Sequence, residues 1–164
     1  MSLPHAPLEL QLRPVRDADL EAFYAHQCDP VAHRMAAFGA HDPCDRAAFD
    51  AHWARIRADP GVVIRTVVVD WQGIGHVLSF GPADLREVSY WIARTHWGRG
   101  VATLALTQFL AQQPARPLFA RAAKDNAGSI GVLRHCGFVV CGEERSFAPV
   151  RLALIDELIL RLDR

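Results

Sequence analysis

The residues with the clearest chemical capacity lie in one run, Glu87 to Phe109, where an apolar strand pattern, a Gly-Arg-Gly loop and an amphipathic helix pattern follow one another directly. Gly98 and Gly100 have no Cβ, so the backbone between them can turn its N–H groups toward one point and let an anion approach closely. The helix that opens with Val101, Ala102 and Thr103 adds unpaired N–H donors and the positive end of a dipole worth about half a charge. Such a loop seats a phosphate or pyrophosphate without a lysine-rich pocket. Arg94 and Arg99 flank it and are candidate supplements.

The same run carries a family resemblance. Tyr90-Trp91-Ile92, followed by Trp97-Gly98-Arg99-Gly100-Val101-Ala102-Thr103, resembles the acyl-CoA motif of the GNAT superfamily of N-acetyltransferases, closest to its RimJ/RimL-like ribosomal-protein N-terminal acetyltransferase branch. Downstream, Asn126, Ser129, Leu133, Gly137 and Phe138 are similar to that branch's Asn-x-x-Ser-x-x-x-Leu-x-x-x-Gly-Phe helix, and Leu154 to Leu158 resembles its last strand. As an order of elements the likeness runs from about Leu10 to Leu162.

The resemblance implies an α+β fold, a mixed and mostly antiparallel twisted sheet whose central parallel strand pair splays apart, flanked by helices. It implies acetyl-CoA as cosubstrate with no metal, and transfer of the acetyl group to a primary amine by direct attack on the thioester in a ternary complex. The amine would be a protein N-terminus or a small molecule. Pyrophosphate would sit at Trp97 to Thr103, and the pantetheine amides would pair with the strand edge at Trp91, Ile92 and Ala93, as a peptide adds to a sheet edge.

For the amine proton, Glu87 is the candidate base, matching the glutamate before the branch's Gly-Tyr-Trp. The alternative is an exposed strand-end carboxylate, and Glu143, Glu144 and Glu157 stand in reserve. For the leaving thiolate, Ser129 is the candidate proton source, against a hydroxyl that bonds its own helix backbone. Asn126 reads as a helix N-cap, as an amide bonding pantetheine, or as both. Trp97 reads as a packing anchor rather than a shield over the cofactor. The chain departs from the family pattern at three positions. Leu133 replaces a tyrosine often found there, Thr95 replaces the wider motif's Gln or Arg, and Ser89 stands where the branch often has Gly at a bulge.

Two other readings compete. A dinucleotide-binding fold also places Gly-x-Gly between strand and helix, but its third glycine is Thr103 here and Asp125 comes too late in the chain. A non-catalytic acyl-CoA-binding or sensing module shares every cofactor residue and differs in turnover alone.

The frame that must position these residues fits one domain, residues 1–164, with no repeat or low-complexity tract. Lys+Arg and Asp+Glu are equal at 18 each, so no global field favours nucleic acid or an anionic membrane, and neither is expected as a partner. The N-terminus lacks a basic stretch followed by an apolar run, which makes cytoplasm the default. Cys28, Cys44, Cys136 and Cys141 form no Cys-x-x-Cys pair and read as reduced thiols, and His26, Cys28, His33, His41 and Cys44 match no common zinc spacing.

Alternation predicts a first strand over residues 8–13, ended at Pro14. Helical patterns follow over 17–28 and 31–37, and Asp45 caps a longer helix that puts Phe49, Trp53 and Ile56 on one face. The β-branched run 62–69 and the run 74–80 make a hairpin, and 87–93 supplies the strand before the glycine loop. After the loop come a helix with the stripe Val101, Ala105, Leu106, Phe109 and Leu110, a strand over 118–123, and a helix from Asn126 to Gly137. A hairpin of 139–147 with 150–162 closes the chain and offers a surface for a possible homodimer.

Overall fold

The computed structural model describes residues 8–164; the N-terminal stretch read for a targeting signal lies outside them. The elements are β1 (Leu10–Arg13), α1 (Asp17–Gln27), α2 (Pro30–Ala36), α3 (Arg46–Ala58), β2 (Val63–Val69), β3 (Gln72–Phe80), β4 (Glu87–Ile92), α4 (Val101–Gln112), β5 (Leu118–Ala123), α5 (Ala127–His135), β6 (Val139–Ala148) and β7 (Ala153–Leu162). The seven strands form one sheet in the order β1-β2-β3-β4-β5-β7-β6, antiparallel throughout except for the parallel pair β4–β5. This is the expected α+β architecture.

Each sheet face has its own cover. The α4 stripe is buried as its spacing predicts, and Leu106 and Phe109 pack with Val77, Val88, Leu118 and Leu160 into the main core. On the opposite face Phe23 of α1 and Phe49 and Trp53 of α3 close over Ile64. Asp19 fastens α1 to the sheet. Its carboxylate takes both Nη groups of Arg13 at 2.7 and 2.8 Å, the Thr66 hydroxyl at 2.7 Å and the Arg16 N–H at 2.8 Å.

Four details differ from the sequence reading. The β3–β4 register runs unbroken from Gly75↔Ile92 to Phe80↔Glu87, so Ser89 sits in regular ladder and makes no bulge. Gly75 fits there because a Cβ on it would collide with the Trp91 carbonyl. A 3-10 turn, Arg94–His96, separates β4 from the glycine loop, and β7 starts at Ala153 because Pro149 to Leu152 are used in the turn. Cys28 and Cys44 are brought side by side as a pair, Cα atoms 5.4 Å apart, rather than standing as separate thiols. The fold brings the C-terminal end of α1 beside the residue before the Asp45 cap, a neighbourhood no local spacing announces.

Candidate active site

The parallel pair β4–β5 holds together by one bridge, Glu87↔Phe119, closed by the Phe119 N–H on the Arg86 carbonyl at 2.8 Å. Beyond it the strands diverge. Which main-chain groups look into that opening is decided by the ladder to β3. The Ala93 N–H donates to the Ile74 carbonyl at 2.8 Å, and Trp91, Ser89 and Glu87 stand opposite His76, Leu78 and Phe80 in the same phase. Residues 87, 89, 91 and 93 therefore direct their groups to β3, while those of Tyr90 and Ile92 face the gap.

The three residues expected to pair with pantetheine do not share one main-chain orientation. Of Trp91, Ile92 and Ala93, Ile92 alone presents its main chain, and Tyr90 joins it. The phase depends on where β3 starts pairing, which the β4 sequence does not encode. The Ile92 carbonyl already accepts the Trp97 indole N–H at 2.8 Å, so Trp97 anchors the start of the glycine loop to the end of β4.

The loop has the geometry of a cradle. Gly98 and Gly100 adopt φ of 70° and 75°, and a Cβ built on either would meet nothing within 4 Å. The space over both glycines is open to a guest. Gly100 is the N-cap of α4, whose first helical bond runs from Leu104 N–H to the Gly100 carbonyl at 3.0 Å. The N–H groups of Val101, Ala102 and Thr103 thus have no intrahelical acceptor. No acidic side chain occupies that first turn. These features fit a pyrophosphate. Arg94 is engaged elsewhere, its Nε 2.7 Å from Asp29, the residue that caps α2, which leaves Arg99 as the exposed cation beside the loop.

Side chains converge on the gap from both faces. On the α4–α5 face the Tyr90 phenol lies 2.8 Å from Ser129 Oγ. Burial raises the phenol to about 12, against the Ser129 hydrogen bond, which favours the ionised form. Ser129 thus faces a side chain on β4 rather than closing on its own helix carbonyls. Its N–H donates to Asn126 Oδ1 at 3.1 Å, which gives Asn126 the N-cap role, and the Asn126 amide reaches the Met35 carbonyl at 3.4 Å. Leu133 is buried in the core.

On the opposite face Glu87 meets Arg121 at 3.3 Å. The same guanidinium binds Glu144 at 2.9 Å and the buried Glu157 at 3.4 Å. Glu87, Tyr90, Arg121, Ser129, Glu157, Gly98 and Gly100 all line one cavity of about 1330 Å³. The phenol of Tyr90 and the Arg121–Glu157 pair were not singled out from sequence. Tyr90 stood inside the motif as a word, and its partner lies 39 residues away on another element.

Residues 9–139 match the acetyltransferase (GNAT) domain family. This chain belongs to that family. The expected N-acetyltransferase class is therefore the class of its family, and the RimJ/RimL-like likeness has structural counterparts at low identity. RimJ of Mycobacterium smegmatis in complex with CoA-disulfide is 22% identical, with a TM-score of 0.81 over 96% of this chain and 86% of that one. Spermidine N-acetyltransferase of Vibrio cholerae in complex with CoA and spermine is 16% identical, with a TM-score of 0.80 over 94% and 95%. The ribosomal-protein-alanine N-acetyltransferase of Brucella melitensis is 21% identical, with a TM-score of 0.77 over 94% and 99%. At these identities the likeness is one of fold. No curated protein matches the chain by sequence. Among the described residues of this GNAT protein no helix is long and apolar enough to cross a membrane, and no group of three or more His, Cys, Asp or Glu is placed to hold a metal.

Proposed function

We propose that this GNAT chain transfers the acetyl group of acetyl-CoA to a primary amine by direct attack in a ternary complex. The observation that carries the reading is the single-bridge opening of β4–β5, with Tyr90 and Ile92 facing the gap and the Gly98–Gly100 cradle at its end. The CoA-disulfide held by the RimJ structure and the CoA and spermine held by the Vibrio enzyme support it.

In this reading the N–H groups of Val101, Ala102 and Thr103 grip the pyrophosphate, and the main chain of Tyr90 and Ile92 aligns the pantetheine arm. Holding amine and thioester carbonyl about 3 Å apart supplies several kcal/mol of the barrier. The Tyr90 N–H, pointing into the gap, meets the negative charge that develops on the thioester oxygen. Glu87, at the bridge where the gap begins, takes the amine proton directly or through a water. Its contact with Arg121 at 3.3 Å keeps the carboxylate pointed along the cavity wall. Ser129 and Tyr90 face the departing sulfur. Acceptors within this class are protein N-termini and small amines.

The test is acetyl-CoA-dependent thiol release with an amine and peptide panel, run on the wild type, Glu87→Gln and Ser129→Ala, with CoA affinity measured in parallel. The reading expects an amine to accelerate release and Glu87→Gln to lower kcat by about a hundredfold at unchanged CoA affinity. CoA binding with no amine-dependent release in the wild type would leave a non-catalytic acyl-CoA-binding module.

A further inference from the structure

One carboxylate in the cavity is only half engaged. Glu157 of β7 lines the same cavity as Glu87 and the glycine loop, with its side chain 8% exposed. Its Oε2 takes two long contacts, from Arg121 at 3.4 Å and from the Ser146 hydroxyl at 3.4 Å. Among the described residues nothing donates to its Oε1. That oxygen is not sealed off in the way the unpartnered ring nitrogens of His26, His76 and Trp91 are. A carboxylate withdrawn from water needs a cation or several donors to balance it. Two contacts near the outer limit of hydrogen bonding supply little of that.

The surrounding charge is unbalanced in the same sense. Arg121 is shared by Glu87, Glu144 and Glu157, so one guanidinium faces three carboxylates. Asp42, Asp45, Asp59, Glu87 and Glu157 line the cavity, and Arg121 is the one Lys or Arg among its described lining residues. A cleft lined by one sign of charge concentrates the opposite ion. Register places Glu157 within reach of the chemistry. It stands opposite Ala123 of β5, four residues beyond Phe119, whose partner across the bridge is Glu87. Glu157 therefore lies farther along the opening than Glu87, toward the glycine loop, and Arg121 between them touches both.

We infer that Glu157 selects a cationic acceptor: its free Oε1 receives the acceptor's ammonium group and holds it beside Glu87, which then takes the proton. This deepens the acetyltransferase reading and rests on it. The ammonium and the Glu87 carboxylate become a neutral amine and a carboxylic acid, and the freed lone pair attacks the thioester carbonyl. One added positive charge among three carboxylates and one guanidinium still leaves negative charge in excess, so the ammonium enters without expelling Arg121. Hydrogen bonds between ionised groups are about twice as strong as neutral ones, which favours an ammonium over a neutral amine of the same size.

The experiment compares propylamine, a cation at neutral pH, with trifluoroethylamine, which is similar in size and mostly neutral there. Both are offered to the wild type, Glu157→Gln and Glu157→Asp. In Glu157→Gln the KM for propylamine is expected to rise about tenfold to a hundredfold with kcat changed less than about twofold, while the KM for trifluoroethylamine moves less than about threefold. Glu157→Asp, which keeps a carboxylate, should show a smaller rise for propylamine alone, and it carries the test if the glutamine variant does not fold. Equal losses for both amines, in KM or in kcat, would mean that Glu157 merely props Arg121 and Glu87, and would overturn its role in selection. An unchanged KM for propylamine overturns it too, and both results leave the acetyltransferase reading in place. If the wild type turns over neither amine, calorimetric titration of propylamine into the protein with CoA present decides. Binding weakened at least tenfold by Glu157→Gln upholds the anchor while the catalytic reading falls, and equal binding or none overturns the anchor as well.

Discussion

The phenol oxygen of Tyr90 lies 2.8 Å from the hydroxyl oxygen of Ser129, joining β4 to the first turn of α5 at the wall of the cavity. With the phenol held near 12 and a thiol ionising near about 8.5, outright proton transfer from Tyr90 to a thiolate costs about 5 kcal/mol. The pair is therefore better suited to donating a hydrogen bond to the sulfur than to surrendering a proton. Tyr90→Phe and Ser129→Ala are each expected to lower kcat by about tenfold to a hundredfold without weakening CoA binding. The double variant should lose little more than the worse single one, because the two hydroxyls act as a unit. Steady-state kinetics on the three variants checks this, and independent, additive losses would separate the roles.

Gly100 holds φ at 75° as the N-cap of α4, with open space where a Cβ would project. An alanine there carries about 1–2 kcal/mol of left-handed strain and puts a methyl group over the anion seat. Gly100→Ala should weaken CoA binding at least tenfold in a calorimetric titration, with the far-UV spectrum unchanged. Wild-type affinity in this variant would remove the cradle from the binding account.

Much of the frame could be read from the chain because its signals are local. The glycine loop, the α4 stripe and the Asn126 cap each depend on residues within one element, and all three appear where their spacing places them. What the sequence withheld depends on pairing between elements. The phase of the β4 ladder comes from β3, so Trp91 and Ala93 looked equivalent to Ile92 as gap-facing positions. The meetings of Tyr90 with Ser129, of Arg121 with Glu87, Glu144 and Glu157, and of Cys28 with Cys44 are made by packing and leave no periodic trace. The resemblance pointed to Ser129 but not to the phenol it faces.

Asp19 is buried and has four hydrogen bonds to its oxygens, from Arg13, Arg16 and Thr66. Burial alone would raise its pKa, but the Arg13 fork, the Arg16 N–H and the Thr66 hydroxyl outweigh it and bring the carboxyl to about 2. The folded value lies below the unfolded one, so this contribution is complete above about pH 4 and disappears as pH falls toward 2. It amounts to about 2 kcal/mol. Denaturant titrations should show that loss in the wild type. Asp19→Asn should be less stable at pH 7 and flatter across that window.

His76 produces a second, separate window. Its folded value of about 3 lies well below the ordinary imidazole value of 6.5, because protonation would place a charge in buried packing against Phe23 and Trp53, near His26 and His52. The unfolded chain binds a proton there that the folded chain refuses, so stability is full above about pH 6.5 and declines on acidification by about 1.4 kcal/mol per pH unit. His26, His52 and His96 are also lowered by burial and steepen the slope in the same direction. Between pH 6.5 and 5, where Asp19 stays ionised in both states, His76→Phe should reduce the slope of unfolding free energy against pH by about one proton. An unchanged slope would mean that the imidazole accepts a proton inside the fold, and that water reaches it past Phe23 and Trp53.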